Sequence, residues 1–144
     1  MRAFIISCLF VFAAACNSTS EAPASTGVKA IDEVIPSDFK KTEEKVDARR
    51  FELAYIAAKK YFASKNVAMS YSLRANKARV IARKIDEGKD IIVDLNRNLD
   101  NTKVTVSSVT ESTHASVIAG IKKELEAFNG KNEEEINKII AEDN

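Results

Sequence analysis

Four runs of alternating side chains between Val67 and Val109, joined by only a few residues each, constrain this chain most. In the first, Val67, Met69, Tyr71 and Leu73 alternate with Ala68, Ser70 and Ser72. A period of two places one set on a buried face and the other toward water. Asn76-Lys77 forms a turn, and Ala78 to Ile85 is the second run. Asp86-Glu87-Gly88-Lys89 turns the chain again. From Asp90 to Asn96, Ile91, Val93 and Leu95 share one face and Asp90, Asp94 and Asn96 the other. After a turn at Asn98 to Thr102, the run Lys103 to Val109 brings Val104 and Val106 inward. A parallel neighbour needs a crossover of a dozen or more residues, so connections this short dictate an antiparallel meander.

Helical patterns flank the four runs. From Thr42 or Glu43 to Ala63, Phe51, Tyr55, Ala58 and Phe62 line up at helical spacing, and Val46, Leu53 and Ala57 widen the stripe. Lys45, Arg49, Glu52, Lys59 and Lys60 fall opposite. Ser112 or Thr113 can cap a second helix with His114, Ile118, Ile121, Leu125 and Phe128 on its apolar side, stopped by Asn129-Gly130. Asn132 and Glu135 have the spacing of a capping box for a last short helix carrying Ile136, Ile139 and Ile140. The expected fold is α+β, a two-layer sandwich. A four-stranded antiparallel meander packs N- and C-terminal helices on one face, and a short C-terminal helix follows.

The N-terminus speaks about location. Met1-Arg2 is positively charged, Ala3 to Phe12 is apolar, and Ala13-Ala14-Ala15 precedes Cys16, after which polarity begins at Asn17-Ser18-Thr19-Ser20. This is the layout of a secretory signal peptide, and its apolar run is well short of the ~20 residues of a spanning helix. Small residues directly before a cysteine resemble the lipobox of bacterial lipoproteins, with Ala13 standing where that box carries Leu. The resemblance implies cleavage before Cys16, palmitate-like acyl chains on it, and, with Asn17 next, an outer-membrane address facing the periplasm. Ala13-x-Ala15 also fits the cleavage site of an ordinary exported protein, which would leave Cys16 as a free thiol. Cys8 lies in the removed segment, so no internal disulfide is expected. The expected division is a signal peptide over 1–15, a lipidated cysteine and tether over 16–42, the α/β domain over 43–128 and a helical extension over 129–144. The eleven residues Asn17 to Gly27 would span about 20 Å as a flexible coil. Val28, Ile31, Val34 and Ile35 form either a segment docked on the domain or a partner-binding peptide.

The stretch Ala78 to Leu95, with Thr102-Lys103-Val104-Thr105-Val106 after it, resembles a group of small bacterial lipoproteins built as helix, four antiparallel strands and helix. Its topology is similar to the helix-grip domains of the outer-membrane assembly lipoprotein C. The resemblance covers roughly 46–125 and implies an envelope location and a scaffold or adaptor role. It supplies no catalytic residues.

Without Arg2 the chain carries 21 basic and 21 acidic residues. A neutral chain lacks the clustered charge that nucleic-acid binding requires. His114 is the sole histidine, and no nucleophile-base set, zinc spacing or phosphate loop appears, so no catalytic residue, metal or cofactor is expected. Glu133-Glu134-Glu135 reads as a solvated helix start. Arg74, Lys77, Arg79, Arg83 and Lys84 form a basic run without an acid between them. It is either a solvated sheet face or edge that resists strand-to-strand aggregation, or a surface for an anionic lipid or envelope protein. The expected function is a non-enzymatic, membrane-anchored adaptor. The alternative is a lipid- or small-molecule-binding module with a crevice lined by Phe51, Tyr55, Met69 and Tyr71.

Overall fold

The computed structural model describes residues 29–144. The expected signal peptide, Cys8, Cys16 and the first part of the expected tether lie outside the described residues. The fold is α+β, with an antiparallel sheet of five strands and three α-helices among the described residues. The strands are β1 (Lys40–Val46), β2 (Met69–Leu73), β3 (Lys77–Asp86), β4 (Lys89–Arg97) and β5 (Thr102–Ser108), in the order β1-β5-β4-β3-β2. The helices are α1 (Phe51–Ala63), α2 (His114–Glu126) and α3 (Glu133–Asp143).

The expected meander is present as β2 to β5, and the expectation of four strands is corrected by β1. Residues 40–46 do not begin the first helix. They pair with β5 from Lys40↔Ser108 to Val46↔Thr102. An edge strand of Lys, Thr and Glu buries little, so period two leaves no apolar trace except Val46. Charged side chains also suit an edge that must not recruit another chain. Arg50 has extended φ and ψ, and α1 starts only at Phe51. The domain therefore begins before residue 43, and the tether boundary at 42 falls inside a strand.

Both sheet faces are covered, unequally. The inner face carries Ala78, Val80, Ala82, Ile91, Val93, Leu95, Val104 and Val106 into one core with the buried stripes of α1 and α2. Eight of the thirteen residues of α1 are buried, among them the unbroken run Leu53 to Ala58. At about 25 cal/mol per Å² of apolar surface removed from water, this core is the main stabilising term. Helices α1 and α2 approach so closely at Gly120 that a Cβ there would overlap the Tyr61 ring edge at Cε2 and Cδ2. The C-terminal helix has the expected capping box. Asn132 Oδ1 accepts from the Glu135 amide at 2.9 Å, and Glu135 accepts from the Asn132 amide at 2.8 Å. Ile136 is fully buried in the main core, so this helix packs on its own domain. By contrast, α2 starts without a side-chain cap. A 3₁₀ turn over Glu111–Thr113 precedes it, and the Thr113 hydroxyl donates to the Thr110 carbonyl.

The outer face holds a second, smaller cluster of Ala30, Phe39, Ile81 and Ile92, flanked by Ile35 and Val109. Residues 29–39, including the 3₁₀ turn Ala30–Asp32, form a strap across it. Of the two readings of Val28 to Ile35, the docked segment describes Ile31 and Ile35, whereas Val34 is exposed. The β3–β4 turn has positive φ at both central residues, 52° at Glu87 and 78° at Gly88, as a type I′ hairpin requires. Just before it, three residues of β3 face one of β4, and Lys84 takes φ 54°. This bulge turns Ile85 to the inner core, although strict alternation would place it outside with Arg83.

Candidate functional site

The strand registers stack the outer face into three rows. Lys41, Ser107, Ile92 and Ile81 make the first, Glu43, Thr105, Asp94 and Arg79 the second, and Lys45, Lys103, Asn96 and Lys77 the third. The strap covers the apolar half of the first row. Beside it lies a groove of about 250 Å³, floored by Thr105, Ser107 and Asp94 and rimmed by Lys41, Lys77 and Lys103. The strap residues Ile31 and Ile35 close one side. The Ser107 hydroxyl is buried and has no hydrogen-bond partner among the described residues.

Two of the five cations picked out in the sequence, Arg79 and Arg83, are paired with acids from other parts of the chain. Arg79 is only 9% exposed. Its Nε and Nη2 donate to the two Asp94 oxygens at 2.5 and 3.1 Å, and its Nη1 donates to the carbonyls of Glu33 at 2.5 Å and Ala30 at 3.3 Å. Arg83 bridges Glu33 and Asp90, at 2.5 and 2.9 Å. The hydrogen bond to Glu33 leads the causes that hold the Arg83 guanidinium above its ordinary pKa. These two side chains bolt the strap to the sheet. The Ile31 amide adds a bond to Ser72 Oγ at 2.8 Å, and Arg74 pairs with Asp32 at 2.8 Å in a more exposed position. Lys77 is exposed at the groove rim, and Lys84 is an exposed bulge residue. The structure thus separates the five, leaving Lys77 at the groove and Lys84 at the hairpin end.

A pattern invisible in the linear sequence replaces that run. Every carboxylate on the outer face and its strap has a cation: Asp32 with Arg74, Glu33 and Asp90 with Arg83, Asp38 with Lys89, Glu43 with Lys103, and Asp94 with Arg79. Among the described residues, no such pair engages Lys41, Lys45 or Lys77. The face therefore carries surplus positive charge.

His114 is not at a reactive site. It is 1% exposed, wedged between β1 and β5 at the start of α2. Its Nδ1 lies 2.7 Å from Thr42 Oγ1 and its Nε2 2.9 Å from Ser108 Oγ. A neutral imidazole offers one donor and one acceptor, which these two hydroxyls consume. Burial pushes the His114 pKa below its ordinary value, against the opposing pull of Glu111 and Asp86. The partner serine is Ser108 and not the neighbouring Ser112, and it too is buried. Among the described residues, no group of three or more His, Cys, Asp or Glu side chains is placed to hold a metal.

Of the four residues of the suggested apolar crevice, Phe51 and Tyr55 belong to the core, Met69 packs against it, and Tyr71 is half exposed. Phe51 and Tyr55 are buried, Tyr55 meets Tyr71 edge-on at 6.5 Å, and Lys59 Nζ lies 4.6 Å from the centres of both tyrosine rings. Desolvation raises the Tyr55 pKa above its ordinary value. A separate crevice of about 300 Å³ lies at the other end of the core, between Leu53, Leu125, Phe128 and the acids Asp47 and Asp100. No described helix is long and apolar enough to cross a membrane. Glu133 is exposed, as expected of a solvated helix start, and pairs at the surface with Arg49 from the loop before α1. Compared with protein-family models and with curated proteins, the chain matches none.

Proposed function

We propose that this chain is a lipid-anchored bacterial envelope protein whose α+β domain binds an envelope component and carries out no catalysis. Acyl chains on Cys16 hold it at the membrane, the outer membrane facing the periplasm, and the outer sheet face is the contact surface. The observation that carries this reading is the strap. Residues 29–39 lie on the outer face and are fixed there by Arg79 and Arg83, beside the groove rimmed by Lys41, Lys77 and Lys103. Twelve residues separate Cys16 from Lys29. Even fully extended, a linker of that length reaches about 45 Å, which limits how far that face can stand from the bilayer. The binding reading also draws support from His114, which is itself buried and has both ring nitrogens taken by the hydroxyls of Thr42 and Ser108.

The test is the intact mass of the protein extracted from its own cells. Loss of residues 1–15 and a mass increase matching acyl chains on Cys16 is the expected result. An unmodified polypeptide recovered free of membrane would refute the anchor.

A further inference from the structure

We infer that the outer sheet face seats on the anionic phosphate headgroups of the bilayer that holds the anchor, through Lys41, Lys45 and Lys77. Proximity of that face to the bilayer rests on the reading of Cys16 as lipidated; the charge pattern does not. Three observations point the same way. The first is the surplus charge: Lys41, Lys45 and Lys77 are exposed, and the acids around them are already neutralised by other cations. A bare lysine that no internal carboxylate holds is free to meet a phosphate, and each contributes about 1 kcal/mol near an anionic surface, or roughly fivefold in affinity. The second is asymmetry. Helices α1, α2 and α3, which form the opposite side, together carry five lysines against eight carboxylates. An anionic bilayer therefore attracts the sheet face and repels the helices. The third is the strap, which lies on the attracted face from Lys29 onward and exposes an apolar side chain there, Val34, at 88%. The groove between strap and β1 gives a headgroup room to descend between Lys41 and Lys77.

The geometry also explains why the paired arginines do not serve this purpose. Arg79 and Arg83 spend their donors on Asp94, Asp90, Glu33 and the strap carbonyls. Releasing them would detach the strap.

The experiment uses the processed chain, residues 16–144, with Cys16→Ser, so that binding reads the face without the anchor. Cosedimentation is measured at low salt with vesicles of phosphatidylglycerol and phosphatidylcholine, and with pure phosphatidylcholine. Binding to the anionic vesicles alone is expected, and the double variant K41Q/K77Q should lose about thirtyfold. The control K123Q/K138Q, on the helical side, should change affinity less than twofold. Circular dichroism checks that all variants keep their fold, as lysines without internal partners should allow. Soluble glycerol phosphate at millimolar concentration should not displace the protein. Displacement would mean a site for a free phosphate compound, and would overturn membrane docking. Equal binding to both vesicle types, or an unaffected double variant, would also overturn it. The mass of native Cys16 reads the anchor independently, so an acylated protein with an indifferent face would fell this inference and leave the anchor standing.

Discussion

Replacing Arg79 by Met should unlock the strap and cost about 3 kcal/mol. The side chains of Arg79 and Asp94 are only 11% and 19% exposed, so their pair is neither a screened surface contact nor a fully buried one. Exposed pairs contribute about 0–1 kcal/mol, whereas removing one partner of a buried pair costs about 3–5 kcal/mol because the other charge is stranded. Partial exposure of Asp94 argues for the lower part of that range. Two strap carbonyls, of Glu33 and Ala30, also lose a charged donor. Met keeps most of the aliphatic volume, so little of the effect is cavity formation. Urea denaturation followed by circular dichroism measures the change. Hydrogen exchange should show the Ile31 amide, now bonded to Ser72, losing protection before the core strands do. A second variant, R79M/D94L, removes both charges and should recover at least half the loss. A cost of R79M below 1 kcal/mol, or a double variant as damaged as the sum of the singles, would refute the reasoning.

Two further predictions concern the inner side. Because burial depresses the His114 pKa, the unfolded chain binds the proton more readily than the folded one. Stability is then complete above the unfolded value near 6.5 and falls as pH drops below it, levelling once the pH passes beneath the lower folded value. His114→Gln should flatten the portion of a urea-midpoint series just below pH 6.5, and an unchanged slope there would contradict the assignment. Gly120→Ala gains helix propensity but forces the Tyr61 ring out of its place between α1 and α2. The net expectation is a loss of about 1–2 kcal/mol by thermal melting, relieved in Y61A/G120A.

The meander, the stripes of α1 and α2 and the capping box of α3 were legible because each rests on local spacing. Ile91, Val93 and Leu95 face the core as their alternation dictates, with Asp94 and Asn96 outside. β1 was not legible. Its sequence Lys-Lys-Thr-Glu-Glu-Lys-Val has helix-forming composition, and its partner β5 lies about sixty residues away. The arginine pairs were hidden by the bulge. From the Asp86↔Lys89 pair an unbroken hairpin would set Arg79 opposite Asn96, whereas the three-against-one bulge slides Asp94 into that place. Glu33 was hidden for another reason: it belongs to a segment that composition assigns to a tether, and only tertiary contact brings it to Arg83. The one signal available beforehand was the alternation of Asp90 and Asp94 on the polar side of β4, the side that faces an equally polar neighbour. His114 gave no sequence signal for its partners, since Thr42 and Ser108 come from β1 and β5.

The orientation of the anchored protein on a bilayer tests the central claim most directly. Cys8 is removed with the leader and Cys16 carries the acyl chains in this account, so a cysteine introduced at Asn76, beside Lys77, or at Lys123 on α2 is the sole free thiol. A fluorophore on each, in the acylated protein on anionic vesicles carrying a headgroup spin label, reports depth by quenching. The account predicts strong quenching at 76 and little at 123. Equal quenching at both positions, or the reverse order, would contradict it.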